Sequence, residues 1–170
     1  MRFNASFMLG ALIAPPALAA DLTVAIEVPP LKVAEYHRPY VAVWIERKDQ
    51  SFVNNLSVWY QQKSRSNEGD KWLKDMRQWW RKSGRDLKMP VDAITSATKP
   101  VGAHKLSFSE GAGTFAKLPT GEYRLVVEAA RESGGREILA VPFQWPPQQA
   151  ARLQQQGKDE LGLVTVELKP

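Results

Sequence analysis

The sequence predicts an all-β protein: an antiparallel β-sandwich with one amphipathic α-helix inserted between strands. Several short segments alternate apolar and polar residues with a period of two, which is typical of half-buried strands. Short turns join most of these segments, and short connections favour antiparallel pairing. One segment, residues 67–83, instead repeats its apolar residues every three or four positions, as an amphipathic helix does.

The first twenty residues, 1–20, are predicted to be a secretory signal peptide. Arg2 precedes an apolar run at residues 5–18, which two prolines interrupt and small residues follow. This run is too short for a membrane span, because a spanning helix needs roughly 20 apolar residues. We therefore expect cleavage after Ala19 or Ala20, and export to the periplasm of a mature chain without a membrane span.

Residues 21–170 are predicted to form one β-sandwich domain, since their number suits a single core. The chain has no cysteine, so no disulfide stabilises it, and its formal net charge is +5. Basic residues alternate with acids, except for a cluster on the predicted helix (Lys71, Lys74, Arg77, Arg81 and Lys82). We interpret this cluster as a solvated helix face, and we expect no nucleic-acid partner. The oligomeric state stays open.

Six or seven strands are expected. The clearest six lie at residues 22–28, 40–46, 53–60, 123–130, 138–143 and 163–168. A hairpin loop is predicted at residues 48–51, and another at Ser133-Gly134-Gly135. Residues 148–158 are polar and rich in glutamine, so we expect a short helix or a mobile loop there.

The predicted helix has a single apolar stripe, which we expect to pack onto a sheet and not to bind a ligand. The stripe consists of Trp72, Leu73, Met76, Trp79 and Trp80. Gly84 follows the last turn and supplies a stop signal.

The segment at residues 118–127, Leu-Pro-Thr-Gly-Glu-Tyr-Arg-Leu-Val-Val, joins a tight turn to a strand. It resembles the turn-and-strand unit of immunoglobulin-like and prealbumin-like sandwiches. The resemblance implies that the sandwich has an immunoglobulin-like or prealbumin-like arrangement.

Residues 91–100, Val-Asp-Ala-Ile-Thr-Ser-Ala-Thr-Lys-Pro, resemble the flavinylation motif of flavin-carrying subunits in bacterial ion-pumping reductases. In that motif an Asp precedes a Ser or Thr, a Gly, an Ala and a final Thr. A periplasmic FAD:protein FMN transferase joins the phosphate of FMN to the final Thr. The resemblance implies that Thr98 is the acceptor, with Asp92 and Thr95 as recognition positions. Ser96 departs from the motif, which prefers Gly there.

An acceptor threonine needs exposure more than intrinsic reactivity, because the modifying enzyme activates the hydroxyl. Lys99, joined by Arg85 or Lys88, is expected to pair with the phosphodiester. The covalent FMN would carry one or two electrons. The alternative is structural: Asp92 caps a turn, and the two motif threonines bond local backbone groups.

A wider pattern surrounds this motif. It comprises the Trp-rich helix, Val-Asp-Ala-Ile-Thr-x-Ala-Thr-Lys-Pro-x-Gly-x-His, Leu-Pro-x-Gly-x-Tyr and Glu-Ala-Ala-Arg-Glu-x-Gly-Gly. Through this pattern, residues 38–145 resemble a family of predicted periplasmic proteins, domain of unknown function 2271. The resemblance implies a periplasmic location and an association with flavin-transferase and membrane reductase genes.

The first function hypothesis is therefore a periplasmic accessory protein that carries FMN on Thr98 and transfers electrons with a membrane reductase. An FMN transferase and that reductase are its expected partners. The chain has no Gly-x-Ser-x-Gly motif and no phosphate loop, so we do not expect a conventional enzyme.

The second hypothesis is a non-catalytic periplasmic binding module for a protein, metal or glycan. Trp44, Trp59 and Trp145 would support glycan binding if they formed an exposed row, although core packing is the expectation. His37 and His104 would form a zinc site with Glu128 only if the fold brought the three together. We expect no metal site.

Overall fold

The structure is a computed structural model that describes residues 20–62, 68–115 and 118–170. The predicted signal peptide lies outside these residues apart from Ala20. Within the described ranges the chain forms nine strands. They are β1 (Asp21–Val28), β2 (Tyr40–Arg47), β3 (Phe52–Trp59), β4 (Thr95–Ser96), β5 (Gly102–Ser109), β6 (Gly121–Ala130), β7 (Arg136–Trp145), β8 (Ala151–Gln156) and β9 (Leu163–Lys169).

Two sheets form the sandwich. Sheet A has the strand order β5-β1-β9-β8, and sheet B has the order β4-β3-β2-β6-β7. Every pair of neighbours is antiparallel except β3 and β4, which pair in parallel. The predicted antiparallel sandwich is therefore confirmed, while its immunoglobulin-like or prealbumin-like arrangement stays a prediction.

The core between the sheets follows from the period-two pattern. In β1, Leu22, Val24, Ile26 and Val28 are all buried, and the residues between them are more exposed. The facing side of sheet B contributes alternate residues of β2, β3, β6 and β7. Burying one face of each sheet in this way is the main stabilisation of a sandwich.

The other face of sheet B is covered by the inserted helical layer, residues 68–86. This layer begins with a 3₁₀ helix (Glu68–Asp75), continues as α1 (Arg77–Lys82) and ends with a 3₁₀ turn (Gly84–Asp86). Its stripe residues Leu73, Met76 and Trp79 are buried against the sheet, so the predicted packing is confirmed.

Only the second half of the predicted helix is α-helical. Met76, at the junction, has φ −75° and ψ 71°, which is outside the helical region. Gly69 permits a close approach in the first half: a Cβ atom there would lie 1.8 Å from the carbonyl oxygen of Gln61. The start of the layer is thus held directly against the backbone that follows β3, a constraint that a local pattern does not contain.

The buried carboxylate of Glu128, on β6, fixes the start of α1. It accepts hydrogen bonds from the backbone N–H groups of Gln78 and Trp79, at 3.1 and 2.7 Å. Arg136 on β7 pairs with the same carboxylate at 2.7 Å. The first N–H groups of a helix have no partner within the helix, so this carboxylate supplies one from the sheet.

A second buried carboxylate, Glu46 on β2, fixes the other end of the layer. It accepts a hydrogen bond from the indole N–H of Trp44 at 2.9 Å. Lys82 from α1 and Arg124 from β6 pair with it at 2.9 and 2.8 Å. The charge is compensated by two cations, which is the condition for burying a carboxylate.

Three strands differ from the sequence expectation, and one of them is the two-residue strand β4, which was not predicted. Residues 148–158 were predicted to form a short helix or a mobile loop, but they contain β8, which pairs with β9. The prediction was wrong because pairing with a neighbour supplies the backbone hydrogen bonds that a glutamine-rich pattern does not signal. Strand β5 was not predicted, although its residues alternate between half-buried and exposed. Strands β5 and β8 both lie at the edges of sheet A, where only one face is covered.

The loops between strands agree better with the sequence prediction than these strands do. The loop at residues 48–51 joins β2 to β3, with Asp49 Oδ1 accepting hydrogen bonds from the backbone N–H and hydroxyl of Ser51. The hydroxyl of Tyr123 donates to the carbonyl of Pro119 at 2.6 Å, and this bond fixes the turn before β6. None of the helices in the described ranges has the length and apolarity needed to cross a bilayer.

Candidate cofactor-attachment site

The motif segment begins with a closed turn. The N–H of Thr95 donates to the carbonyl of Val91 at 3.1 Å, and the N–H of Val91 donates to Thr95 Oγ1 at 2.9 Å. Ala93, inside the turn, has a left-handed φ of 66°, and Asp92 beside it is exposed. The Thr95 hydroxyl is therefore committed to the backbone of its own turn, as the structural alternative proposed.

After the turn the segment runs along the edge of sheet B. The carbonyl of Ile94 accepts a hydrogen bond from Val58 N–H at 2.7 Å, and that of Ser96 accepts one from Tyr60 N–H at 3.0 Å. Ser96 has an extended backbone within β4 and is not left-handed. The glycine that the motif prefers is thus not needed here for its conformational freedom, since the left-handed position is Ala93.

Thr98 follows β4 and is half-buried in the wall of a cavity of about 280 Å³. The other lining residues are Tyr36, His37, Arg38, Tyr40, Gln61 and Glu132. In the described part of the chain the Thr98 hydroxyl has no hydrogen-bond partner, and its oxygen is not fully buried. Of the two motif threonines, Thr98 is thus the one whose hydroxyl is available.

The inner wall of this cavity is rigid. The hydroxyl of Tyr40 donates to the carbonyl of Gly69 at 3.2 Å, which ties β2 to the helical layer. Burial raises the pKa of Tyr40, and the nearby carboxylates of Glu132 and Asp70 act in the same direction. Tyr40 is therefore a neutral phenol over the physiological pH range.

The charged side chains around the cavity lie on its outer wall. His37 Nε2 lies 3.1 Å from a carboxylate oxygen of Glu35, and its Nδ1 lies 3.8 Å from one of Glu132. Arg38 has no ion pair with any described residue, and its side chain is exposed at the cavity. Two side chains that have no partner among the described residues, the Arg38 guanidinium and the Thr98 hydroxyl, thus line one small cavity.

Lys99 lies away from this cavity. Its ammonium is 5.8 Å from the centroid of the Trp59 ring, a cation–π distance. Lys99 therefore lies near Trp59 and is not one of the residues that line the cavity. Arg85 is 3.8 Å from Asp86 and does not line the cavity either.

The outer-wall residues His37 and Arg38 were not predicted from the sequence to form part of this site. His37 was considered only for zinc, and Arg38 was not singled out at all. Both lie about sixty positions before Thr98 in the sequence, so no local spacing connects them. The fold brings them together because the loop after β1 and the segment after β4 meet beside β2.

The other candidate sites are not assembled. His104 Nε2 is 2.7 Å from the carbonyl oxygen of Pro100, and Glu128 lies under α1, so neither joins His37. Within the described ranges no group of three or more metal-ligating side chains occurs. The tryptophans proposed as an exposed row (Trp44, Trp59 and Trp145) are all fully buried, which confirms core packing.

The cavity residues fit part of an FMN group. A hydroxyl and a guanidinium are the groups that a phosphodiester link needs: one to form the ester, the other to pair with its charge. The cavity is slightly below the range of about 300–1,000 Å³ that holds whole ligands. It therefore has room for a portion of a tethered cofactor, with the rest at the surface.

Comparison with known proteins gives one match. No curated protein and no solved structure matches the chain. The profile of one family, described as "Predicted periplasmic protein (DUF2271)", matches residues 21–163, from the first residue of β1 to the first residue of β9. Since this is most of the chain, the protein belongs to the predicted periplasmic protein family DUF2271.

Proposed function

We propose that this periplasmic protein is an electron-transfer accessory that carries FMN covalently on Thr98 and works with a membrane reductase. One observation carries the proposal: Thr98, at the final motif position, lines a cavity together with Arg38, and among the described residues neither side chain has a hydrogen-bond or ion-pair partner. The flavin would supply one- or two-electron transfer, and the protein would set its exposure and potential.

The attachment reaction would use FAD as the FMN donor. The Thr98 oxygen forms a bond to the FMN phosphorus, the pyrophosphate bond of FAD breaks, and AMP leaves. The hydroxyl proton is released, so the products are the phosphodiester, AMP and one proton. Thr98 needs only to be reachable, because a base or metal of the transferase activates the hydroxyl.

Recognition by the transferase would rest on the turn that presents the acceptor. Asp92 is exposed at the turn, and the Thr95 hydroxyl holds the turn closed. The Thr95 bond keeps the turn from Val91 to Thr95 in one conformation, which lowers the entropy lost when the transferase binds it, and Asp92 would be recognised as an exposed charge on that turn. Lys99 would contribute to the phosphodiester only by leaving the Trp59 ring.

The decisive experiment is co-expression of the full chain with an active periplasmic FMN transferase, followed by intact-mass and peptide mass spectrometry. We expect a mass increase of one FMN less one water, located on Thr98, and a fluorescent band in a denaturing gel. Thr98→Ala should abolish both, whereas Thr120→Ala, at an exposed threonine in a turn, should keep both. An unmodified mass beside a transferase that modifies another acceptor would refute the proposal.

A second measurement tests the cavity cation. A charge-assisted hydrogen bond contributes about 1.5–3 kcal/mol, so Arg38→Gln should slow FMN attachment by roughly tenfold or more. Arg47→Gln, which removes the same charge at the opposite end of β2, should leave the rate unchanged. Equal rates for Arg38→Gln and the unchanged chain would remove Arg38 from the site.

A non-catalytic binding module is the second candidate, and a groove between β7 and β8 favours it. This groove has a volume of about 620 Å³, with lining that includes Phe143, Pro146, Pro147 and Leu153. Its apolar floor and open side suit a protein segment better than a metal or a glycan. A partner captured from periplasm by the unmodified chain, and lost in Phe143→Ser and Leu153→Ser variants, would support this candidate.

A further inference from the structure

The described part of the molecule exposes three large apolar side chains. Val33 is 42% exposed, Tyr36 is 38% exposed and Val101 is 46% exposed. Single exposed apolar residues are common and need no explanation, but a group of them around one site indicates a contact surface. Val33 and Tyr36 belong to the loop at residues 29–39, and Val101 belongs to the segment that follows Thr98.

The register of sheet A shows how these segments meet. Val28, the last residue of β1, pairs with Gly102, the first residue of β5. Val101 therefore lies beside the start of the loop at residues 29–39, which carries Val33 and Tyr36. Tyr36 also lines the same cavity as Thr98. We call Val33, Tyr36 and Val101 the apolar rim.

We propose that the apolar rim is the seat of the isoalloxazine ring of the FMN on Thr98, with Tyr36 as its stacking partner. This inference rests on the proposed function. The ring is flat and aromatic, and its ribityl tether confines it to the surface around the attachment point. Among the rim residues Tyr36 alone has an aromatic face, and aromatic faces stack on one another.

The rest of the cavity wall suits the other side of the ring. An isoalloxazine has one apolar edge, which carries methyl groups, and one edge of hydrogen-bonding oxygens and nitrogens. Gln61 and Glu132 line the cavity and provide amide and carboxylate groups for the polar edge. Tyr36 in the same lining provides an aromatic face, so the polar edge and the plane of the ring would both meet matching chemistry.

A seat of this kind would restrict access to the flavin. A ring stacked on Tyr36 has one face covered by protein, whereas a ring on a free tether has both faces in water. The residue would thus determine how readily small molecules reach the flavin, and it would leave the attachment itself to Thr98.

Iodide quenching of the flavin fluorescence measures this access directly. FMN-loaded wild type, Tyr36→Leu and Tyr36→Phe would be prepared with the transferase, and their loading would be checked by intact mass. We expect the quenching constant of Tyr36→Leu to rise several-fold, toward that of urea-unfolded protein. Tyr36→Phe keeps the ring and should stay close to wild type. The three proteins have the same charge, so electrostatic attraction of iodide does not differ between them.

The possible results distinguish a failure of the Tyr36 stacking proposal from a failure of FMN attachment to Thr98. If the chain carries FMN on Thr98 and iodide quenches Tyr36→Leu no more than wild type, the stacking seat is wrong and the attachment stands. If the mass shows no FMN on Thr98, both proposals fall. A gain in quenching for Tyr36→Leu with protection in Tyr36→Phe supports the seat.

Discussion

The helical layer and the Thr98 cavity lie on the same sheet, but their polar side chains differ. Those under the layer have partners, whereas Thr98 and Arg38 at the cavity have none among the described residues. Under the layer, Glu46 and Glu128 are fully buried, and each makes contacts that join its strand to α1 and to a neighbouring strand. At the cavity, Thr98 and Arg38 have side chains that no described residue pairs with. A buried polar group whose hydrogen bonds are all made within the protein has a structural role. A polar group beside a cavity that has no partner is available to bind a ligand.

The same contrast occurs inside the motif. Thr95 and Thr98 are three positions apart and chemically identical, but one closes a turn and the other opens into the cavity. Sequence similarity marks both as motif positions. Their different surroundings assign the first to shaping the segment and the second to carrying the group.

The largest expected effect concerns Glu128. Glu128→Ala leaves the backbone N–H groups of Gln78 and Trp79 without their partner and removes the ion pair with the partly exposed Arg136, so we expect a loss of about 2–4 kcal/mol. Urea unfolding followed by tryptophan fluorescence measures the change in free energy of unfolding. Glu122→Ala, which removes an exposed pair with Lys48, should change it by less than about 0.5 kcal/mol. Equal losses for the two variants would contradict the contrast.

A middle-sized effect is expected at Glu137, a committed carboxylate far from the cavity. It accepts four backbone hydrogen bonds, from the N–H groups of residues 158–161, at 2.7–3.0 Å. Burial acts to raise its pKa, but these hydrogen bonds outweigh burial and lower the pKa below the ordinary 4.5. Glu137→Gln should cost about 1–2 kcal/mol at pH 7.

The lowered pKa gives this effect a definite pH dependence. The contribution of Glu137 is complete above pH 4.5, and it is lost as the pH falls through the lower pKa of the folded protein. The difference in unfolding free energy between wild type and Glu137→Gln should therefore shrink on acidification below pH 4.5. A difference that stays constant from pH 7 to pH 3 would show that the hydrogen bonds do not depend on the charge.

The smallest change in stability is expected for substitutions of the two motif threonines, Thr95 and Thr98. Thr95→Val removes the hydroxyl that accepts the Val91 N–H, so we expect a loss of about 1 kcal/mol. Thr98→Val removes a hydroxyl without a described partner and should change stability by less than about 0.5 kcal/mol. Thermal unfolding of the two variants, measured side by side, makes each the control for the other. A larger loss for Thr98→Val would mean that its hydroxyl is structural.

Much of the sandwich was predictable because burial of one face imposes a period of two. Strands β1, β2, β3, β6, β7 and β9 were predicted close to their observed ranges, and so was the helical layer with Trp79 at its centre. Strand β8 was not, since its glutamines follow no strong pattern and only pairing with β9 makes it a strand. The close approach of Gly69 to the backbone of Gln61 is also invisible in a local pattern.

Three properties could be read from the sequence alone. They are the pattern of a periplasmic family, a β fold whose strands bury one face, and a motif that ends in Thr98. Those properties follow from composition, periodicity and short spacings, which are local. Only the three-dimensional structure shows that the Thr95 hydroxyl has a partner while the Thr98 hydroxyl has none among the described residues. It also shows that Arg38 and Tyr36 line the cavity with Thr98, while the Lys99 ammonium lies near the Trp59 ring. Cavities form where segments distant in sequence meet, so their lining depends on strand order and register, which local patterns do not encode.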